Sequence, residues 1–332
     1  MLRLTAPIKY LVLAIVTCMM VSCSGVGGEQ DRQIATDFKV AAILPGEIND
    51  HSWGQSTYQG LQLIEKQLIA ETAYTSGVNH QSSRQLENTF RQYAEQGFDF
   101  VLGQSSDYIP ALEPIAQQFP RTKFAVLDSY PGNNFNLGSL SFRNGELGYL
   151  CGAIAALKST THKIAFIGGT ESAAAKEVAI LFERGARAIQ PDIQVNVRWL
   201  GSTPDAAIAQ KVAQTQILAG SDVLLVRAEQ AGVTIHQLAQ DHQIHTIGWV
   251  EDCYNLAPGT VLTSGMQRVP ELLLQGATLV RQGRWEGKQY KFGLREGVQD
   301  LAEFRGTLTS DETATINQIK ADILTGKIDI SL

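Results

Sequence analysis

The chain is poor in positive charge and in cysteine, and it has no long apolar run after residue 23. Its 27 Lys and Arg residues are outnumbered by 33 Asp and Glu residues, which gives a formal net charge of −6. This balance argues against nucleic acid as a partner, because phosphates select basic surfaces. A disulfide between Cys151 and Cys253 is disfavoured, since Cys151 lies in a helical pattern and Cys253 in a predicted loop.

Motifs for bond-making chemistry are missing from the sequence. There is no G-x-x-x-x-G-K-[ST] loop, no G-x-G-x-x-G turn after a strand and no G-x-S-x-G elbow. His242 and His245 lack a third nearby ligand, so we interpret them as solvated loop residues rather than a metal site. The sequence therefore predicts neither an enzyme nor a metal or cofactor.

The N-terminus has the organisation of an export signal. Arg3 and Lys9 precede an apolar stretch at residues 10–21, which is too short for a comfortable membrane span of about 20 residues. Ser22 and Cys23 follow, and this ending resembles the bacterial lipobox, in which the cysteine carries the lipid. We predict a signal peptide at residues 1–22, lipid attachment at Cys23 and a small, polar tether at residues 23–36. A plain secretory signal is the alternative.

This organisation predicts a lipoprotein tethered to the cell membrane on its extracytoplasmic (periplasmic) face. The predicted attachment would be through the lipid on Cys23 rather than through a spanning helix.

From residue 39 onward, short apolar runs alternate with helix-length segments. The runs predicted as strands are residues 40–44, 100–103, 124–127, 164–167, 195–199, 223–226, 246–250 and 261–264. Continuous apolar strands separated by helices are typical of buried parallel sheets with right-handed crossovers. A turn-rich segment, DSYPGNNFNLG, separates the two series of strands at residues 128–138. The pattern predicts an α/β protein with two doubly wound lobes.

The expected lobe boundaries follow from that turn-rich segment. Lobe 1 is predicted to contain residues 37–130 and 247–287, and lobe 2 residues 131–246 and 288–332. In such sheets ligands bind beyond the carboxyl ends of the strands. The candidate ligand-binding residues at these positions are Asn49, Asp50, Trp53, Gln104, Ser105, Asp128, Arg227, Trp249, Glu251, Asp252 and Gln267.

Residues 49–55, NDHSWGQ, are the most suggestive of these segments. An Asn or Asp at a strand-to-helix turn can cap the following helix, which would explain one of the two polar residues. A cap does not explain Trp53. An aromatic plane beside hydrogen-bonding groups suits a flat, polar ligand such as a base, which stacks and is recognised at its edges.

Several segments carry a resemblance to a known family. KVAAILP at residues 39–45 and NDHSWGQSTYQGL at residues 49–61 resemble the opening of the basic membrane protein family, whose pattern is roughly N-D-x-S-F-N-Q-x-x-x-x-G. Further similar segments are PRTKFAVLD at residues 120–128, FRNGELGYLCGAIAAL at residues 142–157 and KIAFIGG at residues 163–169. Family members are substrate-binding lipoproteins of ABC importers, typified by purine nucleoside receptors.

The resemblance implies a type I periplasmic binding protein, in which two lobes joined by three crossovers close on a ligand. It also implies that Trp53 stacks on a base and that Asn49, Asp50 and Asp128 bind the edges of that base. The second stacking aromatic of the family has two candidates here, Trp249 and Phe142.

This chain departs from the family where the sugar is held. The family's I-G-V-D-x-D-Q and L-T-S-x-x-K segments read IGWVEDC at residues 247–253 and LTSGMQ at residues 262–267. Val250 and Gln267 thus occupy the positions of the carboxylate and the lysine, although a shift of one residue would bring Glu251 into the carboxylate position. Arg227 and Glu229 replace a glycine-rich turn, either as ligand contacts or as a solvated ion pair at the rim.

We therefore predict a monomeric, membrane-anchored substrate-binding lipoprotein that delivers a small planar polar solute to an ABC permease. A purine nucleoside or a related nucleobase is the expected ligand. The alternatives are a sensor whose closed form contacts a receptor, and a binder of a solute other than a purine.

Overall fold

The structure is a computed structural model that describes residues 37–50, 52–201 and 205–332. The predicted signal peptide, the lipid-attachment residue Cys23 and the tether lie outside the described residues. No helix in the part of the chain that is described has the length and apolar character needed to span a membrane.

Lobe 1 is built on a six-stranded parallel sheet in the order β11-β5-β4-β3-β1-β2. Its strands are β1 (Lys39–Ile43), β2 (Glu71–Thr75), β3 (Phe100–Gly103), β4 (Lys123–Leu127), β5 (Leu137–Phe142) and β11 (Gln289–Phe292). Its helices are α1 (Trp53–Leu68), α2 (Ser83–Glu95), α3 (Ile109–Gln118) and α8 (Val269–Arg281). Buried apolar clusters lie on both faces of this sheet, as its continuous apolar strands require.

Lobe 2 has a second six-stranded sheet in the order β12-β10-β9-β8-β6-β7, in which only β12 runs antiparallel. The strands are β6 (Lys163–Gly168), β7 (Gln194–Trp199), β8 (Val223–Arg227), β9 (His245–Val250), β10 (Val261–Gln267) and β12 (Gln299–Leu301). The helices are α4 (Asn144–Lys158), α5 (Ala173–Ile189), α6 (Ala206–Leu218), α7 (Glu229–Asp241) and α9 (Ser310–Leu324). Helix α4 is buried almost throughout because it packs between this sheet, α5 and α9.

The two-lobed parallel architecture is confirmed, but the predicted lobe boundaries are wrong at four strands. β5 and β11 belong to the sheet of lobe 1, and β9 and β10 belong to the sheet of lobe 2. The turn-rich segment at residues 128–138 is a loop within lobe 1 rather than a link between lobes. In it, the Asn133 Oδ1 accepts hydrogen bonds from the backbone N–H groups of Phe135, Asn136 and Leu137, which fixes the turn that begins β5.

The chain passes between the lobes three times, as predicted. It crosses from β5 to α4, from β10 to α8 and from β11 to β12. Backbone hydrogen bonds join the crossovers to one another: the Arg143 N–H donates to the Phe292 carbonyl at 2.7 Å, and the Arg268 N–H donates to the Val298 carbonyl at 2.8 Å. The three crossovers therefore form one connected hinge.

Buried polar side chains also connect the crossovers. The Glu146 carboxylate, 5 % exposed, accepts from the Leu294 backbone N–H at 2.6 Å and from the Gln299 Nε2 at 2.8 Å. The third crossover approaches this carboxylate so closely that a Cβ on Gly293 would lie 2.1 Å from the Glu146 Oε2. A side chain at residue 293 would therefore displace the Glu146 carboxylate from these hydrogen bonds.

The two cysteines of the described region are free thiols. Cys151 is buried in α4, and Cys253 is half-buried in the loop after β9. Burial raises the pKa of both thiols, so neither is an activated nucleophile.

Candidate functional site

The candidate residues lie at the carboxyl ends of the two sheets. In lobe 1 they follow β1, β3 and β4, and in lobe 2 they lie at or just after the ends of β8, β9 and β10. Among these residues, the negative charge of Asp128 in lobe 1 acts on Arg227 in lobe 2. The candidate site is therefore a cleft between the lobes, on the carboxyl side of both sheets.

Three residues at this cleft have a left-handed backbone. Asp128 after β4, Glu229 after β8 and Val250 at the end of β9 have φ angles of 86°, 46° and 75°. This conformation is unfavourable for any residue with a Cβ and most unfavourable for a β-branched residue such as Val250. Strained backbone of this kind clusters at functional sites, where the surrounding structure holds it in place.

Asp50 caps the first helix of lobe 1. Its Oδ1 accepts hydrogen bonds from the N–H groups of Ser52 at 2.8 Å and Gln55 at 3.0 Å, and its Oδ2 accepts from Gly54 at 2.9 Å. These are backbone donors that the first turn of α1 leaves without helical partners. The capping interpretation is confirmed for Asp50. Its neighbour Asn49 is exposed.

Trp53 is the first residue of α1 and is half-buried. Its ring packs against the apolar cluster of lobe 1 that includes Leu44, Leu61 and Leu273. Part of the indole is held by the core and part remains accessible. This arrangement suits an aromatic platform for a planar ligand.

Gln104 and Ser105 follow β3 and differ in their contacts. The Ser105 Oγ accepts from the Asp107 N–H at 3.1 Å and so caps the short helical turn at Ser106–Tyr108. The Gln104 side chain is unusual, because its Oε1 and Nε2 are both buried without a hydrogen-bond partner among the described residues. A buried amide left in this state calls for a ligand or water.

Arg227 ends β8 and is half-buried. Its Nε is buried without a hydrogen-bond partner, and its guanidinium forms no ion pair with a described residue. Burial lowers the pKa of Arg227, while the negative charges of Glu229 and Asp128 act in the opposite direction. The alternative of a solvated Arg227–Glu229 ion pair at the rim is therefore wrong.

Trp249 and Phe142 are core residues rather than stacking platforms. Each ring is 6 % exposed; Trp249 lies in the apolar cluster of lobe 2 and Phe142 in that of lobe 1. The Trp249 ring packs over Gly265, where a Cβ would lie 3.0 Å from the Cε3 and Cζ3 of the indole. The prediction that the Trp249 ring faces a ligand is corrected accordingly. Only its Nε1, buried without a partner among the described residues, retains unused hydrogen-bonding capacity.

Glu251 and Asp252 have different environments. Glu251 is exposed, whereas Asp252 pairs with Arg305 at 2.5 Å and accepts from the Tyr254 N–H at 3.1 Å. Burial raises the pKa of Asp252, but hydrogen bonds from Arg305 and Tyr254 outweigh it, so the pKa lies below its ordinary value. The Asp252 carboxylate is thus held within lobe 2, and Glu251 is the freer of the two.

Gln267 belongs to the hinge. It is 9 % exposed, and its Nε2 donates to the Asn144 Oδ1 at 2.7 Å, which joins the first and second crossovers. Its amide nitrogen thus has a partner within the protein, and the predicted ligand contact of Gln267 stays a prediction.

The sequence interpretation missed Glu146 and Tyr108. A signal for Glu146 was present, because it is a charged residue in an otherwise apolar helical segment. The Tyr108 hydroxyl is buried without a partner among the described residues, and burial together with Asp107 raises its pKa to about 12. No cluster of residues that could hold a metal ion occurs in residues 37–50, 52–201 and 205–332.

Comparison with known proteins gives a consistent result. A family model described as "ABC transporter substrate-binding protein PnrA-like" matches residues 38–331. The chain is similar to the ABC transporter nucleoside-binding protein BmpA of Lactococcus lactis, with 28 % identity over 94 % of this chain and 93 % of that protein.

Solved structures with the same fold include a transcriptional activator of the comK gene from Bacillus halodurans, with a TM-score of 0.75 and 24 % identity over 87 % of this chain and 98 % of that one. An ABC transporter solute-binding protein from Aeropyrum pernix matches with a TM-score of 0.69 and 19 % identity over 88 % of this chain and 92 % of that one. The two parallel-sheet lobes and these similarities confirm the type I periplasmic binding protein fold.

Proposed function

Because the chain belongs to the Bmp family of PnrA-like ABC transporter substrate-binding proteins, we propose that it is a membrane-anchored receptor that captures a purine nucleoside or nucleobase for an ABC permease. The observation that carries this proposal is the half-buried Trp53 at the edge of a cleft with buried, unpartnered polar groups on both sides. Stacking supplies affinity for a planar ring, and the polar groups recognise its edges.

The proposed mechanism is hinge closure. A ligand first stacks on Trp53 in lobe 1, and Arg227 of lobe 2 then completes its hydrogen bonds. Because those bonds form only when the lobes meet, the ligand has higher affinity for the closed form and shifts the population toward it. The permease then recognises the closed protein.

Calorimetric titration and thermal-shift measurement of the mature chain with guanosine, inosine, adenosine and the free bases test this proposal. We expect saturable binding without turnover and a concentration-dependent rise in melting temperature. If none of these compounds binds while other flat polar solutes do, the chain is a receptor for a solute other than a purine.

We also propose that Cys23 carries the lipid anchor, on the evidence of the basic and apolar segments that precede it. The Cys23→Ser variant should leave the membrane fraction or accumulate as an uncleaved precursor. Unchanged processing and fractionation would favour a plain secretory signal instead.

A further inference from the structure

Arg227 is a charged residue that is half-buried and has a buried Nε without a partner among the described residues. Its backbone is fixed as the last residue of β8, and the following residue, Ala228, is 1 % exposed. The side chain is half-buried at the cleft, where its Nε has no partner.

Leaving such a group unpaired is unfavourable. A guanidinium keeps its charge at physiological pH, and burying one of its N–H groups without an acceptor is unfavourable. In most proteins a carboxylate in direct contact with the guanidinium compensates its buried charge. Here the charges of Glu229 and Asp128 are felt, but neither carboxylate forms an ion pair with Arg227. The buried Nε therefore has no acceptor among the described residues and is available to a ligand or to water in the cleft.

The neighbouring carboxylates restrict the charge of that ligand. A phosphate or carboxylate bound to Arg227 would also experience the negative charges of Asp128 and Glu229, which act on this arginine. A neutral solute does not experience this repulsion. It satisfies Arg227 with acceptors at one edge and can offer donors to a carboxylate at another.

We infer that Arg227 selects purines with an oxo group at position 6, such as those of guanine and hypoxanthine, over purines with an amino group there. This inference rests on the proposed function and adds the feature of the base that is recognised. The O6 and N7 atoms of a 6-oxopurine accept two parallel hydrogen bonds from one guanidinium, whereas adenine places a donor, its N6 amino group, beside N7.

Arg227 and Trp53 then have separate roles. Stacking on an indole is insensitive to base identity, because every base has a π-face. Discrimination has to come from an edge contact, and a rigid, planar fork such as that of arginine provides it with a defined direction.

The test is calorimetric titration of the mature, full-length chain with inosine, guanosine and adenosine. We expect the two 6-oxopurine nucleosides to bind at least tenfold more tightly than adenosine. Arg227→Met should weaken inosine binding at least tenfold and change adenosine binding less than threefold. Arg227→Lys should restore only part of the preference, since a lysine keeps the charge without the fork.

Arg198→Met is the matched control, because Arg198 is an exposed arginine on β7 of the same lobe; it should leave all three affinities unchanged. A second measurement needs no variant: 7-deazainosine lacks the N7 acceptor and should bind the unaltered chain several-fold more weakly than inosine.

The possible failures are distinguishable. Equal binding of adenosine and inosine, or full affinity for 7-deazainosine, would overturn the role of Arg227 while the proposed function stands. If no purine binds, the proposed ligand class is wrong and the inference is overturned with it.

Discussion

The hinge and the cleft both contain buried polar side chains, but the two regions differ in how many of these side chains have partners within the protein. At the hinge, Glu146, Asn144 and Gln267 each have hydrogen-bond partners on another crossover or within their own. In the cleft, the polar atoms of Gln104 and the Nε of Arg227 are buried without partners. Buried polar groups are normally satisfied, so Gln104 and Arg227 are candidates for contact with a ligand or with water. At the hinge, the Oε1 of Gln299 is also buried without a partner among the described residues.

This difference separates two kinds of polar residue that look alike in sequence. A glutamine at residue 104 and a glutamine at residue 267 both follow or end a strand, and both are candidates for ligand binding on that ground. Only the partner of each side chain distinguishes a residue that stabilises the fold from one that is available to a ligand.

The strongest test of the hinge is Glu146→Leu. The substitution leaves the Leu294 N–H buried without its acceptor and removes one of the two acceptors of the Gln299 Nε2, the other being the Arg143 carbonyl. The free energy of unfolding should fall by about 2–4 kcal/mol. Urea denaturation measures the loss. Glu146→Gln should have a smaller effect, because one acceptor oxygen remains.

Glu95→Leu is the control for that experiment, because Glu95 is an exposed glutamate at the end of α2. Its effect should stay within about 0.5 kcal/mol. If the Glu146→Leu variant is as stable as the wild-type protein, the hinge network does not support the fold.

The cleft side of the comparison is tested by Trp53→Ala. Loss of a stacking ring should weaken nucleoside affinity by roughly 1–3 kcal/mol, with a small change in melting temperature because the indole is only half-buried. Trp249→Leu provides the contrast: it should lower stability while the folded protein keeps its affinity. Normal binding by a Trp53→Ala protein that melts much earlier would identify Trp53 as a core residue.

Recognition of the sugar should be weak. Val250 offers no carboxylate, and Gln267 is bonded to Asn144 instead of extending a charged group into the cleft. We therefore expect a free base to bind within tenfold of its nucleoside, a difference under about 1.4 kcal/mol. Parallel titrations with guanosine and guanine measure it. A nucleoside preference of a hundredfold would indicate that Glu251 holds the sugar.

The smallest expected effect concerns Asp252. Its ion pair with Arg305 places it among the residues that stabilise the fold rather than among those available to a ligand. Arg305→Gln should lower stability at pH 7 by less than about 1 kcal/mol, the range of exposed ion pairs, and leave nucleoside affinity unchanged. Because the folded pKa of Asp252 is below its ordinary value of 3.8, the contribution of the pair is present above that pH and is lost as the pH falls through the folded pKa. The stability difference between the two proteins should therefore vanish in acid. A change in nucleoside affinity would indicate instead that Asp252 takes part in ligand binding.

The sequence predicted the strands well wherever they are continuous apolar runs. β1, β3, β4, β6 and β8 are continuous apolar runs, and that pattern has few other interpretations. β5 was missed because its sequence, LGSLSF, alternates small and apolar residues after a turn-rich loop. Because β5 was missed, the predicted lobe boundaries were also misplaced. The sheet to which a strand belongs depends on pairings with strands that are distant in the sequence.

The position of the site could be predicted from the sequence, but the roles of its individual residues could not. Carboxyl ends of parallel strands define the cleft, and the sequence located these ends. Whether Asp252 meets Arg305, or Trp249 lies over Gly265, depends on residues that the fold brings together from more than ten positions away. Capping by Asp50 was foreseeable because its partners are its immediate neighbours.

The pairing of β5 with β11 has a consequence for how the chain reaches its final state. Tyr290 lies opposite Leu140, so the lobe 1 sheet lacks its edge strand until nearly the whole polypeptide has been synthesised. The lobe 2 sheet depends in the same way on β12 near the C-terminus. Contacts between such distant segments slow folding. For a protein proposed to be exported, the late synthesis of β11 and β12 favours translocation before either sheet is complete.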